Sequence, residues 1–159
     1  MSKKFLKIKN LDKTRDIPHK GSKYAAGYDL CANIPRTLDE KYDGEHRLMI
    51  LPHTTVKIKT GVAAELPTET FGAIVARSGI ATKRGLRPAN AIGIVDSDYR
   101  GELIVALHND TDEIQYIEDG ERIAQFIVIP YVMFDDIQEV EELSETERGE
   151  GGFGSTGTK

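Results

Sequence analysis

Short stretches in which apolar and polar residues alternate recur along this chain, and this period of two constrains the fold more than any other feature. Leu6 and Ile8 alternate with lysines, and so do Val56 and Ile58. Such alternation predicts strands that keep one face in water. Further strands, more apolar and therefore more buried, are predicted over 71–76, 92–95, 103–107 and 122–133.

Turn-forming residues stand between these segments, and no window of twelve residues has a convincing helical period. One short helix is predicted over Ser78–Arg84, with Ser78 as its N-cap. We therefore predict an all-β fold, a distorted jelly-roll barrel or sandwich with one short helix and a Gly-rich C-terminal arm. Residues 1–136 form the jelly-roll domain of this prediction, and 137–159 form a linker and the arm.

Composition limits the classes of function. With 159 residues and one cysteine, Cys31, the chain fits a single domain without an intrachain disulfide, which suits the reducing cytoplasm. Neither a signal peptide nor a membrane-spanning apolar run is visible. The net charge is −5, and eight acids between Asp135 and Glu150 are most simply a solvated linker. This balance argues against duplex nucleic acid as a ligand, whereas a small polyanion can bind where arginines and a divalent cation meet its charge.

The C-terminal segment RGEGGFGSTGTK holds five glycines with Arg148 and Phe153. It is either a disordered tail or a strip that binds a ligand with a phosphate and a base. The arginine and the exposed ring favour the second interpretation, since tails rarely carry aromatic residues. The match to G-x-G-x-x-G from Gly149 to Gly154 is not a dinucleotide fingerprint, because no strand precedes it and no helix follows.

The segment ARSGIA ends an apolar run and offers Arg77, the Ser78 hydroxyl and the N–H of Gly79 at one point. That combination is typical of an anion cradle. The alternative is a surface arginine followed by a helix-capping serine.

In NAIGIVDSDYRGEL, Asp96 follows Ile94 and Val95, so we expect its carboxylate at the end of a buried strand, tuned by partial desolvation as a general base. Asn90 has the donor and acceptor that a pyrimidine edge requires, and Tyr99 can set a flat ring beside a sugar. The alternative is an acidic turn with a structural tyrosine. A calcium loop is disfavoured because the EF-hand spacing is missing.

Two more polar residues stand in apolar surroundings. Asp29 lies within AGYDLCA, where its charge requires an arginine such as Arg77 or a hydrated metal. Gln125 lies within GERIAQFIV and is predicted on the strand's interior, where it is either structural or bonded to a ligand oxygen.

In this order, five segments resemble the five successive motifs of the trimeric dUTP pyrophosphatases, the dUTPases, over almost the whole chain. The resemblance implies a homotrimeric jelly roll whose active sites draw residues from more than one chain. It implies hydrolysis of dUTP to dUMP and pyrophosphate, which limits uracil in DNA and supplies dUMP for thymidylate synthesis. The segments are AGYDLCA, ARSGIA, NAIGIVDSDYRG, GERIAQFIV and RGEGGFGSTG.

The resemblance also assigns roles. Asp96 would orient the attacking water, and Mg²⁺ would be held mainly by the triphosphate, with Asp29 acting only through water or through Arg77. The remaining substrate contacts that it implies are Arg77, Ser78, Gly79 and Gln125 for phosphates, Asn90, Ile94, Val95, Tyr99 and Ile104 for the nucleoside, and Arg148, Phe153 and Gly154 from the arm.

Three alternatives remain. A dCTP deaminase would carry a glutamate where Ala106 stands, five residues after Gly101, so its acid–base group is absent. A purely structural jelly roll has no use for the ordered polar set. A regulatory protein partner, recognised by the insertion over 37–49, would be an addition to the enzyme. One departure from the family pattern, Ala76 in place of a frequent proline, should matter little.

Overall fold

The structure is a computed structural model that describes residues 5–35 and 47–152. These residues form ten strands and one helix. In chain order the elements are β1 (Lys7–Asn10), β2 (Tyr28–Cys31), β3 (Leu48–Ile50), β4 (Thr55–Glu65), β5 (Thr70–Ala76), α1 (Ser78–Arg84), β6 (Leu86–Pro88), β7 (Gly93–Val95), β8 (Glu102–Asn109), β9 (Gln115–Ile117) and β10 (Arg122–Pro130).

The strands build two four-stranded antiparallel sheets and a small third one. The first sheet has the order β1-β4-β8-β6, the second has the order β2-β10-β5-β7, and β3 pairs with β9. Neighbours in the sheets are distant in sequence, as in a jelly roll, and the described strands do not close into a barrel. The all-β prediction with one short helix is confirmed.

A single apolar core draws side chains from all three sheets. Phe126 of β10 is its largest fully buried residue, with Leu30 and Ile74 beside it from the second sheet. The first sheet contributes Leu103 and Leu107. The second sheet therefore keeps Phe126, Leu30 and Ile74 inside and presents its other face outwards.

The helix begins and ends where the sequence predicts, but its cap differs. Arg77 is the N-cap, with extended backbone and no side-chain hydrogen bond to the first turn, so the prediction of Ser78 as N-cap was wrong. Gly85 ends the helix in the left-handed region, at φ 62°, and donates its N–H to the carbonyls of Ala81 and Ile80.

Two strand predictions need correction. The strand predicted over 92–95 is β7, Gly93–Val95, and it lies at the edge of the second sheet. Ile92 and Ile94 are 51% and 59% exposed, so they are not core residues. The strand predicted over 122–133 ends at Pro130, after which the chain leaves the sheet.

Three further predictions concern the insertion, the cysteine and membrane-spanning segments. Residues 37–46 of the insertion lie outside the described part, and its last residues enter β3. Cys31 is a free, half-buried thiol, and burial followed by the charge of Asp29 raises its pKa. No helix within the described ranges is long and apolar enough to cross a membrane.

The contact between Gly72 and Phe126 gives a stability prediction. A Cβ at Gly72 would overlap the Phe126 ring, whereas a Cβ at Gly79 would meet nothing within 4 Å. We expect Gly72→Ala to lower the free energy of unfolding by about 1–3 kcal/mol through overpacking. Urea denaturation measures it, with Gly79→Ala as the matched control, which should be as stable as the parent or more so. Equal stability of both variants would contradict this packing.

Candidate active site

Among the described residues, three polar residues are buried, and only Asp29 has a side-chain oxygen without a hydrogen bond. The Thr60 hydroxyl donates to the Leu103 carbonyl at 2.6 Å, and the amide of Asn109 is bonded on both sides. Asp29 is 4% exposed, and its Oδ1 accepts no hydrogen bond. A buried carboxylate with an oxygen that accepts no hydrogen bond is a candidate functional group.

Asp29 is shared by two arginines. Its Oδ1 lies 3.0 Å from Nε of Arg77, an ionic contact without hydrogen-bond alignment, and its Oδ2 accepts from Nη1 of Arg122 at 3.3 Å. Nη1 of Arg77 also donates to the carbonyl of Arg122 at 3.3 Å. One negative charge therefore holds two positive ones together, and the cluster keeps a net positive charge.

A β-bulge brings Arg122 into this cluster. The register of β10 against β2 shifts between Arg122 and Ala124, so that Arg122 lies opposite Cys31. Strict alternation from Gln125 would turn Arg122 to the core, where Ile123 and Ala124 are both fully buried. The extra residue of the bulge turns Arg122 to the face that carries Asp29.

Gln125 lies at the centre of the same outward face. It pairs with Asp29 on β2 and with Val75 on β5, two residues before Arg77. The side chain is half-buried on the outer face of the sheet, so the prediction that it points into the interior was wrong. A Cβ at Gly27 would lie 3.2 Å from the Cβ of Gln125, so the glycine lets the backbone approach Gln125 closely.

A groove of about 430 Å³ opens beside these residues, between α1 and the turn before β10. We call it the cationic groove. Ser78 and Gly79, both exposed, lie at the start of α1 on its edge. The lining residues are Arg77, Gly79, Ile80, Lys83, Arg84, Gly120, Glu121 and Arg122. Arg122 and Lys83 were not among the predicted site residues, because neither the bulge nor the groove is visible in the sequence.

Asp96 begins the turn after β7, at the other end of the sheet. The turn is closed by the N–H of Tyr99, which donates to the Asp96 carbonyl at 3.1 Å. Asp96 is exposed in the single chain, and so is Ile94, so the predicted desolvation by a buried strand end was wrong. Any desolvation of this carboxylate has to come from a ligand or another chain.

The missing side chain at Gly101 makes room for the ring of Tyr99. A Cβ at Gly101 would overlap the Tyr99 ring, and the Tyr99 hydroxyl donates to the carbonyl of Glu102 at 3.1 Å. The ring remains 45% exposed. It is therefore an accessible flat surface in the turn that begins at Asp96.

Asn90 lies in the turn between β6 and β7. Ala91 takes a left-handed conformation there, with φ 58°, and its N–H donates to the Pro88 carbonyl at 3.0 Å. The Asn90 side-chain nitrogen lies 3.4 Å from where a Cβ of Gly93 would be, so the missing side chain lets the amide approach the strand. Asn90 itself is exposed and open to a ligand.

The apolar members of the predicted site lie in three different environments. Ile94 points outwards from β7, whereas Val95 is 8% exposed and belongs to the core, so only its backbone can face a ligand. Ile104 lies on the first sheet, opposite Lys59, and is 42% exposed. The structure therefore brings Ile94 close to Asp96 and leaves Ile104 on another sheet.

The two polar clusters lie at opposite ends of β5. Val95, the neighbour of Asp96, pairs with Gly72 on β5, and Arg77 follows five residues later, just after that strand ends. At the rise of an extended strand this separates the clusters by about 17 Å. One chain therefore does not bring Asp96 and Arg77 together.

The C-terminal arm makes only local contacts where it is described. Nε of Arg148 donates to the Gly151 carbonyl at 2.8 Å, and residues 131–150 are all exposed. Seven of them are large apolar residues: Tyr131, Val132, Met133, Phe134, Ile137, Val140 and Leu143. Phe153 and Gly154 lie outside the described residues.

The chain is similar in sequence to proteins of one known family. The family model described as dUTPase matches residues 13–157. The deoxyuridine 5'-triphosphate nucleotidohydrolase of Desulfitobacterium hafniense is 45% identical over 147 residues, with 92% of this chain and 90% of that protein covered. The protein of that name from Escherichia phage T5 is 42% identical, with 90% and 93% covered.

Solved structures agree with this assignment. The dUTPase of Staphylococcus bacteriophage 80alpha with dUPNHPP superposes with a TM-score of 0.80 at 29% identity, and 98% of this chain and 99% of that chain are covered. Phage dUTPases of that study are described as controlling transfer of virulence genes by a proto-oncogenic G protein-like mechanism. From its sequence motifs, its fold and these relatives, the chain belongs to the dUTPase family.

Proposed function

We propose that this chain hydrolyses dUTP to dUMP and pyrophosphate. The observation that carries the proposal is the cationic groove, whose Arg77 and Arg122 are held by buried Asp29. A groove with a net positive charge in an acidic protein is suited to a small polyanion. The single cysteine of the sequence supports a reducing compartment, the cytoplasm, for this reaction.

In this proposal the phosphates lie in the cationic groove. The guanidinium of Arg77 and the Ser78 hydroxyl bind phosphate oxygens together with the N–H of Gly79. The absence of a side chain at Gly79 leaves space for a phosphate to approach the backbone. The Gln125 amide binds a phosphate oxygen or the attacking water from the sheet below.

Asp96 is the proposed base. Its carboxylate orients a water in line with the α-phosphorus and takes its proton. The water oxygen forms the new bond to phosphorus while the bond to the bridging oxygen breaks and pyrophosphate leaves. Because Asp96 is exposed in the single chain, substrate and a neighbouring chain have to exclude bulk water from it.

The nucleoside is held around the turns that flank β7. Asn90 and the backbone of Ile94 and Val95 bind the uracil edge, and the Tyr99 ring packs on the deoxyribose so that a 2′-hydroxyl would clash. Ile104 is proposed to line the nucleotide pocket from the first sheet, in a place that the assembled protein would complete.

Magnesium suits this site only as an ion that the substrate carries. No group of three or more candidate ligands occurs among the described residues, and the Asp29 carboxylate is already engaged by Arg77 and Arg122. Asp29 would therefore act on the ion through water or by orienting Arg77. When bound, the ion would neutralise charge on the phosphates.

The separation of Asp96 from Arg77 supports sites that are shared between chains. Asp96 has to act at the α-phosphorus and Arg77 on the same triphosphate, but β5 places them about 17 Å apart within a chain. We propose a homotrimer in which the Asp96 end of one chain meets the Arg77 end of its neighbour. Ile94 and a groove of about 660 Å³ beside it, lined by Phe71, Tyr131 and Met133, supply apolar surface near this contact.

The arm is proposed to close over a neighbour's site. Arg148 would bind the γ-phosphate, and Phe153 would stack on uracil with Gly154 next to it. The exposed apolar residues over 131–143 support docking of the linker on another chain, because a fully solvated linker gains nothing from them. We accordingly divide the chain into a jelly-roll domain over 1–136 and a linker and arm over 137–159.

A regulatory protein partner is a second proposed role. It rests on the structural similarity to the phage 80alpha dUTPase and would use the insertion over 37–49, most of which lies outside the described residues. The role would be added to hydrolysis, not replace it.

Release of pyrophosphate from dUTP, dTTP, dCTP and UTP, with magnesium and then with a chelator, tests the activity. We expect kcat/KM for dUTP to exceed the others by at least about 100-fold, because the site's polar groups match uracil and deoxyribose. Chelation should abolish turnover. Asp96→Asn is the control, with an expected loss of about 10²–10⁴ in kcat and retained dUTP binding. Equal rates for all four nucleotides would refute the proposed selectivity.

Truncation after Glu147 tests the arm. Loss of Arg148 and Phe153 should lower kcat/KM for dUTP at least about tenfold, since charge-assisted and stacking contacts are removed. The measurement is steady-state kinetics beside the oligomeric state from light scattering. Full activity of the truncated chain would show that the arm has no part in the reaction.

Co-expression of two inactive variants tests whether sites are shared. Asp96→Asn and Arg77→Gln each damage one half of a shared site, so random mixed trimers should recover activity in about a quarter of their sites. The matched control pairs Asp96→Asn with Asn90→Ala, which damage the same half and should not complement. If each site lies within one chain, neither mixture will exceed its separate variants.

A further inference from the structure

The positive charges of the cationic groove are unequally compensated. Asp29 serves both Arg77 and Arg122. Glu121 pairs with Arg84 at 2.5 Å, and Arg84 also donates to the Tyr116 carbonyl and, at 3.3 Å, to Gln115. The three arginines thus share two carboxylates, Asp29 and Glu121. The fourth cation of the groove is Lys83.

Lys83 differs from the other cations of the groove. The part of the chain that the structure describes provides it with no ion-pair partner, and its side chain is exposed. The three arginines are held by Asp29 or Glu121. Lys83 therefore contributes a positive charge that a ligand can use without first breaking an ion pair.

The position of Lys83 on α1 directs it towards the phosphate end of the groove. It stands four residues after Gly79, on the same face of the helix and about 6 Å along its axis. Side chains on a helix lean towards its N-terminus, so the Lys83 side chain can extend along this face towards Gly79. Nothing lies within 4 Å of a Cβ placed on Gly79, so the space between them is open.

We propose that Lys83 binds the terminal phosphates of the substrate and, after cleavage, the pyrophosphate product. The inference rests on the proposed hydrolysis of dUTP and adds a residue to its phosphate site. It makes Lys83 a specificity residue: it distinguishes ligands with a pyrophosphate group from dUMP, which has only the α-phosphate. Two carboxylates neutralise two of the four positive charges in and beside the groove, which leaves two positive charges for the pyrophosphate group.

Kinetics of Lys83→Met test this role. We expect KM for dUTP and the inhibition constant of pyrophosphate to rise about fivefold, as loss of one exposed charge-assisted hydrogen bond implies. The kcat and the inhibition constant of dUMP should not change. Lys83→Arg should restore both constants. Lys57→Met is the matched control, an exposed lysine on β4 outside the groove, and should alter none of them.

A lysine in the last helical turn also stabilises α1 through the helix dipole, so stability needs its own control. Lys83→Gln keeps a polar side chain, and urea denaturation reports folding of each variant. Unchanged pyrophosphate inhibition in a folded, active Lys83→Gln variant would overturn the inference.

Calorimetric titration with inorganic tripolyphosphate separates this inference from the proposed function. Binding that weakens in Lys83→Met, in a protein that does not hydrolyse dUTP, would support the inference and refute the proposed reaction. If the parent protein hydrolyses dUTP but binds tripolyphosphate no more tightly than Lys83→Met, the inference is refuted and the proposed reaction is supported.

Discussion

The carboxylate of Asp29 is the charge on which the candidate site depends. It is buried, and it holds Arg77 from the end of β5 and Arg122 from the start of β10. Without it, two guanidiniums in a partly buried groove would repel each other. With it, their positions are fixed before any ligand arrives, so that less free energy is spent on ordering them when an anion binds. The incomplete hydrogen bonding of its Oδ1 is the cost of serving two partners.

The length of β5 is the second constraint. The strand is buried at its centre, with the Asp96 cluster beside one end and the Arg77 cluster at the other. The position of β5 is fixed, because Gly72 packs against the Phe126 ring and Ile74 belongs to the core. The same packing that stabilises the domain thus keeps its two polar clusters apart, and supports an assembly in which neighbouring chains complete each other's sites.

Much of the fold follows from the sequence, since the alternation around Leu6, Ile8, Val56 and Ile58 directly reports which face of a strand is wet. The boundaries of α1 were equally readable. Ile94 was misplaced because an apolar residue on an edge strand looks like a core residue until its outward neighbours are known. Arg122 was missed since a strand pattern assumes regular alternation. The roles of the site residues came from the ordered motifs, and their spatial separation could not be read from spacing.

The bulge at the start of β10 has a consequence for how related chains can differ. Deletion of Ile123, the one residue between Arg122 and Ala124, would restore regular alternation with Ala124 inside and Arg122 still on the outer face. The guanidinium would keep its side of the sheet, but the core would lose a fully buried isoleucine, whose removal leaves a cavity. The bulge thus adds one side chain to the core without moving either polar residue, so relatives without it should keep the arginine on the outer face and fill the core at this point from another strand.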